Sequence, residues 1–435
     1  MLKTFADIFK IEELRNKIFF TLAMLVVYRI GGSVPTPGVD GTVLASALSS
    51  QSLFGLLDLF VGGNFSKASI FALSIMPYIS ASIMLQLLGA IVPALQRLQR
   101  EGEEGRRRIN QYTRYLTVII AALQAWGTAG FLFSLSSNGV QAVQMPAWQF
   151  IPLTIITFTC GTIFVMWLGE QITQYGIGNG ISLIIFVGII AGFPDAVIQE
   201  IQLLLSGSQE IWVALLLVAL MLLVIGVVVM ITRAQRRIPV QYPRRQVGRR
   251  MLGGGTTHLP LSFNSAGVIP IIFAQSIMFL PSTLAQFFPN VDWVQNFATD
   301  HFAPGGFWYS IVYTLIIVFF AYFYTAIVFN PMEIADNMRK NGGFIPGVRP
   351  GKNTADYIEG VLSRITLPGA LFFAAIAVLP WVLVGSFKIS YFFGGTGLLI
   401  VVGVCLDTIQ QIEGHLLMRH YDGFVKKGRI RGRSM

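Results

Sequence analysis

The chain has 435 residues, of which 54% are hydrophobic and 12% charged, where a soluble domain carries about 25% charged residues. This excludes an ordinary soluble protein and is the composition of an integral membrane protein, which the helix-length apolar spans described below make all-α. The net charge of +10 must then lie mostly outside the apolar segments.

Residues 1–17 carry Leu2, Phe5 and Phe9 at helical spacing among polar residues, the pattern of a helix lying in the membrane interface. They have no small-residue cleavage pattern, so no removable signal peptide is expected. After a first apolar span comes a short apolar piece, Leu53-Phe-Gly-Leu-Leu-Asp-Leu-Phe-Val61, a break at Gly62-Gly63-Asn64, and a fresh apolar run from Ser69 to Leu88. The second piece reaches the roughly 20 residues needed to cross a bilayer and the first does not. Lipid cannot satisfy the open backbone ends of an interrupted helix, so a half-helix here lines or blocks a path through the membrane.

Apolar runs bounded by Gly, Pro or charge predict ten spans, at 18–30, 69–92, 115–135, 150–168, 177–198, 211–231, 266–288, 307–329, 365–384 and 396–417. The chain thus reads as an interfacial helix (1–17), an N-terminal half (18–205), a C-terminal half (206–417) and a basic tail (418–435). Cys160 and Cys405 each sit inside an apolar run, the setting of small buried hydrophobes more than of a disulfide or metal site.

Alternate connections hold 28 of the 31 Lys and Arg residues; the other side has only Arg29, Lys67 and Lys388. The positive-inside rule puts the rich side and both termini in the cytoplasm. Such a face serves topology, anionic lipid, or a large docking partner. Two cytoplasmic loops, about 232–264 and 330–364, are long enough to suggest the last. Prolines push Arg236-Arg-Ile-Pro-Val-Gln-Tyr-Pro-Arg-Arg245 toward extended structure, and Phe344-Ile-Pro-Gly-Val-Arg-Pro-Gly351 reads as a turn holding Arg349 outward.

Spans two and seven share a proline near their start, in Ile75-Met-Pro-Tyr-Ile79 and Val268-Ile-Pro-Ile-Ile272, and spans five and ten both open on Gly-polar-Gly, at Gly178-Asn-Gly and Gly395-Thr-Gly. The offset is five spans each time. An odd offset reverses direction, so the halves read as an inverted repeat.

Inverted repeats with broken helices suggest an ion-coupled secondary transporter, which needs ionisable groups near the midplane. Asp407 alone lies well inside a span, toward its cytoplasmic end, and the four histidines (258, 301, 415 and 420) fall in loops or near span ends. A hydrolase lacks a base within a span and a metal-ligand cluster; no catalytic residue, metal or cofactor is expected. What recurs at the symmetric positions is isoleucine. Ile75 and Ile79, and Ile181 and Ile185, are each four apart on one helix face. With Ile272 and Ile400 they either pack helices and face lipid or form an apolar constriction that blocks water by dewetting.

Several stretches, in order, resemble the SecY family, channel subunits of the bacterial protein-translocation machinery. They are Ser69-Ile-Phe-Ala-Leu-Ser-Ile-Met-Pro-Tyr-Ile-Ser-Ala-Ser82, Glu101-Gly-Glu-Glu-Gly-Arg-Arg-Arg-Ile-Asn-Gln-Tyr-Thr-Arg-Tyr115, Trp167-Leu-Gly-Glu-Gln-Ile-Thr173 with Gly176-Ile-Gly-Asn-Gly-Ile-Ser182, Thr257-His-Leu-Pro-Leu261 with Ala266-Gly-Val-Ile-Pro270, Pro346-Gly-Val-Arg-Pro-Gly351 and Phe393-Gly-Gly-Thr396.

The resemblance implies ten transmembrane helices in two inverted-repeat halves around a central pore, opening sideways between spans two and three and spans seven and eight. It puts Ile75, Ile79, Ile181, Ile185, Ile272 and Ile400 in the pore ring, and makes Leu53, Phe54, Leu56, Leu57, Leu59, Phe60 and Val61 the plug half-helix. Gln86, Gln124 and Gln275 become lateral-gate contacts, or plain interhelical hydrogen bonds. Arg236, Arg237, Arg244, Arg245, Arg249, Arg250 and Arg349 fall where the family docks the SecA ATPase or the ribosome. Proline in Tyr242-Pro-Arg-Arg245 where alanine is common, and the missing lysine in Leu261-Ser-Phe263, are departures within that docking loop. Implied partners are SecE-like and SecG-like small membrane subunits, SecA, the ribosome, signal sequences, nascent polypeptides and membrane lipids, with no sequence-specific nucleic-acid binding. The implied location is the bacterial plasma (inner) membrane. The chain has no Gly-x-x-x-x-Gly-Lys-Ser/Thr phosphate loop, so energy must come from a partner.

Overall fold

Every one of the ten expected spans contains helix. The computed structural model describes residues 11–41, 43–44, 58, 61–137, 140–207, 210–243, 245–247, 250–252, 255–263, 267–287, 291, 293, 297, 302, 306–387 and 395–427. In chain order the helices are α1 (Glu12–Gly31), α2 (Met76–Ile91), α3 (Pro93–Arg100), α4 (Glu103–Ser134), α5 (Ala147–Tyr175), α6 (Gly180–Ala191), α7 (Phe193–Leu205), α8 (Ile211–Arg233), α9 (Ile269–Met278), α10 (Leu280–Phe287), α11 (Phe307–Val328), α12 (Pro331–Lys340), α13 (Lys352–Phe387) and α14 (Gly395–Lys427). Seven helical segments are long and apolar enough to cross a membrane. The pair α2–α3, bent by 104°, makes an eighth. The bend falls at Val92, which is extended (φ −88°, ψ 116°) because it precedes Pro93. The helix α1 and the broken pair α9–α10 occupy the two remaining expected positions.

Span two starts later than its hydropathy suggests. Residues 69–75 are as apolar as the helix after them, yet they form turns, and α2 begins at Met76. Pro77 sits in the first turn, where its missing N–H would be unpaired anyway. The preceding backbone finds other partners: Thr36 N–H donates to the Ala68 carbonyl (2.8 Å) and Ile70 N–H to the Val34 carbonyl (3.0 Å).

The chain packs as two units, one of Met1–Val197, Phe279–Ala303 and Val404–Met435, the other of Ile198–Met278 and Pro304–Gly403. In the first, α4 packs along α2 and α5, α10 leans on α4, and α1 packs on α5. Small residues on α4, Ala121, Ala125 and Ala129, are fully buried and let the helices approach closely. Trp126 meets Phe287 of α10 edge-on (6.1 Å). The turn between α5 and α6 is tied down twice, by Ile177 N–H donating to Thr21 Oγ1 and Gly178 N–H donating to Gln411 Oε1, both at 3.0 Å.

In the second unit α9 packs on α11, and α11 and α12 on α13. Almost every residue of α9 is buried, as expected of a short helix that is apolar all round. By contrast only Val228 is buried on α8. An apolar helix so bare within its own chain belongs against lipid or another membrane subunit.

The two segments expected to be long loops are folded together. The first makes a β-ribbon in which β3 (Gln235–Gln241) pairs antiparallel with β6 (Thr256–Ser262), from Gln235 opposite Ser262 to Gln241 opposite Thr256. Inside it β4 (Arg245–Val247) pairs with β5 (Arg250–Leu252); a two-residue pairing, β1 (Ser136–Ser137) with β2 (Val140–Gln141), lies earlier in the chain. The second segment is α12, a turn, and the first residues of α13. Gln241 and Phe344 exchange backbone hydrogen bonds (2.9 and 3.0 Å). Ile238, Val240 and Leu261 of the ribbon, Met338, Ile345, and Ile358 and Leu362 of α13 share one small core.

Candidate functional site

The break between the two apolar pieces is held by a buried polar knot in the first unit. Tyr28, 1% exposed, projects from the end of α1. Its hydroxyl donates to the Val61 carbonyl (3.4 Å), accepts from Asn64 Nδ2 (3.3 Å) and lies 3.1 Å from Ser74 Oγ. One donor and two acceptor sites are thus all used. Arg29 Nη1 donates to the Gly62 carbonyl (3.3 Å). Asp58 Oδ1 accepts from the N–H groups of Phe65 and Ser66, both at 2.9 Å. Gly62 and Gly63 have φ of +80° and +78°, and Ala68 and Ser74 also have positive φ. The ring of Tyr28 stacks on Phe71 (6.0 Å, 4°).

The knot fixes the exit of the segment read as a plug. Val61 is buried at 1% exposure; Leu53, Phe54, Leu56, Leu57, Leu59 and Phe60 lie outside the described residues. Sequence reasoning saw the Gly62-Gly63-Asn64 break but not its partners. Ser74, a lone polar group between Ile70-Phe-Ala-Leu73 and Ile75-Met-Pro77, is the available signal for a buried contact.

Of the isoleucines, Ile75, Ile79 and Ile185 are buried in the first unit and Ile181 is partly so. Ile75 and Ile79 sit one turn apart at the start of α2, Ile181 and Ile185 one turn apart on α6. In the second unit Ile272 and Ile400 are buried on α9 and α14. Gln86 bonds within its own helix, Nε2 donating to Ser82 Oγ at 3.2 Å. Gln124 is partly buried on α4. Gln275, 4% exposed, hydrogen-bonds Tyr309 of α11 inside the second unit.

On the ribbon Arg236 and Arg237 are exposed, and so is Arg349. The turn at Arg349 is pinned from below, where Thr354 Oγ1 donates to the Arg349 carbonyl (2.9 Å). Arg245 and Arg250 lie in β4 and β5 by their backbone; Arg244 and Arg249, with the side chains of the other two, lie outside the described residues.

The first unit also holds an open cavity of about 520 Å³ where α2, α4, α5 and α6 approach. An ion pair 56 residues apart in sequence stands in its wall: Arg114 Nε and Nη2 donate to Glu170 Oε1 and Oε2, both at 2.8 Å. This two-bond geometry fixes α4 to α5, and sequence reasoning did not pair the two residues.

The SecY family model matches residues 69–409. A protein translocase subunit SecY from Aquifex aeolicus is 47% identical over 424 residues, covering 97% of this chain and 98% of that one. Another from Thermotoga maritima is 43% identical over 440 residues, covering 100% of both. Among solved structures, a protein conducting channel superposes with a TM-score of 0.66 at 19% identity, covering 93% of each chain. Sec61 in the canine ribosome-channel complex from the endoplasmic reticulum gives 0.63 at 18%, again over 93% of each. The full-length matches, the helices at all ten expected positions and the channel fold agree: this chain belongs to the SecY family.

Proposed function

We propose that the chain is the central pore-forming subunit of a protein translocase, passing unfolded secretory polypeptides across a bacterial inner membrane and releasing apolar segments sideways into lipid. The observation that carries this reading is full-length similarity, 43% and 47% identical, to two chains that are protein translocase subunits. A side exit sorts by partition: about 20 apolar residues favour lipid and polar chain does not.

In this reading Ile75, Ile79, Ile181, Ile185, Ile272 and Ile400 form the apolar constriction and residues 53–61 the plug. Gln86, Gln124 and Gln275 lie along the lateral gate. The exposed Arg236, Arg237 and Arg349, with Arg244, Arg245, Arg249 and Arg250, dock a SecA-type ATPase or the ribosome, and both termini are cytoplasmic. The shared core beneath the ribbon and the Arg349 turn supports one docking surface. SecE-like and SecG-like subunits complete the assembly; the bare surface of α8 suits lipid or such a subunit.

The test is reconstitution of the chain with its small subunits in vesicles. Adding the ATPase, ATP and a secretory precursor should make the precursor resistant to external protease. Assembled vesicles that protect no precursor, or that take up a small solute in a way abolished by Asp407→Asn, overturn the proposal.

A further inference from the structure

Three motifs behind the family resemblance receive no role from plug or docking face, and only Ile181 among them has one in the ring; they meet at the open cavity of the first unit. The 101–115 motif supplies Asn110 and Arg114, and the 167–173 and 176–182 motifs supply Trp167, Glu170, Gln171 and Ile181. Tyr78 of α2 and Gln174 of α5 complete the relevant wall. Its volume, about 520 Å³, falls within the roughly 300–1,000 Å³ of ligand-holding clefts.

The chemistry of the wall is selective in an unusual way. Its two charges, Arg114 and Glu170, are spent on each other through two hydrogen bonds of 2.8 Å. Thr173 and Asn179 are occupied by the fold: Thr173 Oγ1 accepts from Gly180 N–H and donates to the Gly169 carbonyl, and Asn179 Oδ1 caps α6. Asn110, Gln171 and Gln174 have no hydrogen-bond partner among the described residues and line the cavity. A carboxamide offers both N–H donors and a carbonyl acceptor, the same pair that a peptide group offers. Free carboxamides beside a neutralised ion pair match a polypeptide main chain whatever its side chains, and no uncompensated charge remains to trap an acidic or basic segment.

The geometry points to this cavity as a binding site for the main chain of the entering polypeptide, with Asn110, Gln171 and Gln174 as its contacts. The inference rests on the proposed translocase function. Ile181, assigned above to the constriction, stands in the same wall, so a bound stretch would lie next to that assigned position. An extended chain advances about 3.3 Å per residue, and the cavity holds a short stretch of it.

The test places a photoreactive amino acid at position 171, 174 or 79 of the full chain, in its complex in membrane vesicles. Each is loaded with a secretory precursor stalled by a tightly folded C-terminal domain. Precursors carrying an acidic, a basic or a neutral segment at the stalled depth should crosslink from 171 and 174 with similar yield. In N110L/Q171L/Q174L the stalled chain should slide back about tenfold faster, the effect of one or two lost hydrogen bonds. Crosslinks from 79 without any from 171 or 174, yields that follow the charge of the segment, or crosslinks from 171 and 174 to the ATPase overturn the inference and leave the function standing. No precursor crosslink from any of the three positions overturns the function itself.

Discussion

Gln275 of α9 and Tyr309 of α11 are each 4% exposed and hydrogen-bonded to one another. Both polar groups sit among apolar side chains, where Phe273 also packs edge-on against Phe320 (5.7 Å). Removing one partner strands the other. Gln275→Leu and Tyr309→Phe should each lose about 1–3 kcal/mol, while the double variant loses less than their sum by about 1 kcal/mol. Unfolding midpoints of the four proteins in detergent check this; strict additivity would show that the pair does not interact.

The knot around Tyr28 makes a graded prediction. Tyr28→Phe deprives the Val61 carbonyl, Asn64 Nδ2 and Ser74 Oγ of one shared partner, whereas Ser74→Ala removes a single contact. Asn64 and Ser74 are buried at 2% and 4% exposure, so water does not readily replace the lost bonds. Tyr28→Phe should cost about 2–3 kcal/mol and Ser74→Ala about 1 kcal/mol. Equal effects in thermal unfolding would mean that the hydroxyl is not the hub.

How far the sequence could be read depends on which partners are local. The spans were legible because apolar length is a property of one segment. The start of α2 was not, since Ala68 and Ile70 bond through their backbone to Thr36 and Val34 and residues 69–75 close into local turns, which no hydropathy pattern displays. Prolines 239 and 243 correctly indicated extended chain around Arg236, but the ribbon's register rests on pairing from Gln235 opposite Ser262 to Gln241 opposite Thr256, and its union with the Phe344 turn on contacts about 100 residues away. Charge counting assigned Arg114 to one face and could not pair it with Glu170, because the pairing requires α4 and α5 to be packed first.

Gly62 and Gly63 separate two costs that usually come together. Both have positive φ, +80° and +78°. A Cβ on Gly62 would stand 2.7 Å from the Gly188 Cα of α6, while one on Gly63 meets nothing within 4 Å. Gly63→Ala should therefore show the conformational penalty alone, about 1–2 kcal/mol. Gly62→Ala adds backbone overlap that no rotamer relieves, a further roughly 1–3 kcal/mol. Unfolding midpoints decide the order; Gly63→Ala being the worse of the two would place the close approach elsewhere.

Ile272 and Ile400, 8% and 1% exposed in the second unit, give the sharpest test of the proposed constriction. A hydrophobic constriction excludes water because no lining group can hydrogen-bond it. Asparagine at either position supplies such a group with as many side-chain heavy atoms as isoleucine. An unpartnered buried amide also costs about 1–3 kcal/mol, so the amount of folded protein must be measured beside activity. At equal abundance, Ile272→Asn and Ile400→Asn should export precursors with defective signal sequences severalfold better than the parent, because a wetted constriction needs less help to open. Replacement of an outward isoleucine such as Ile156, 63% exposed on α5, should leave that export unchanged. If both asparagine variants fold normally and export no better than the parent, these two isoleucines are packing residues and the constriction lies elsewhere.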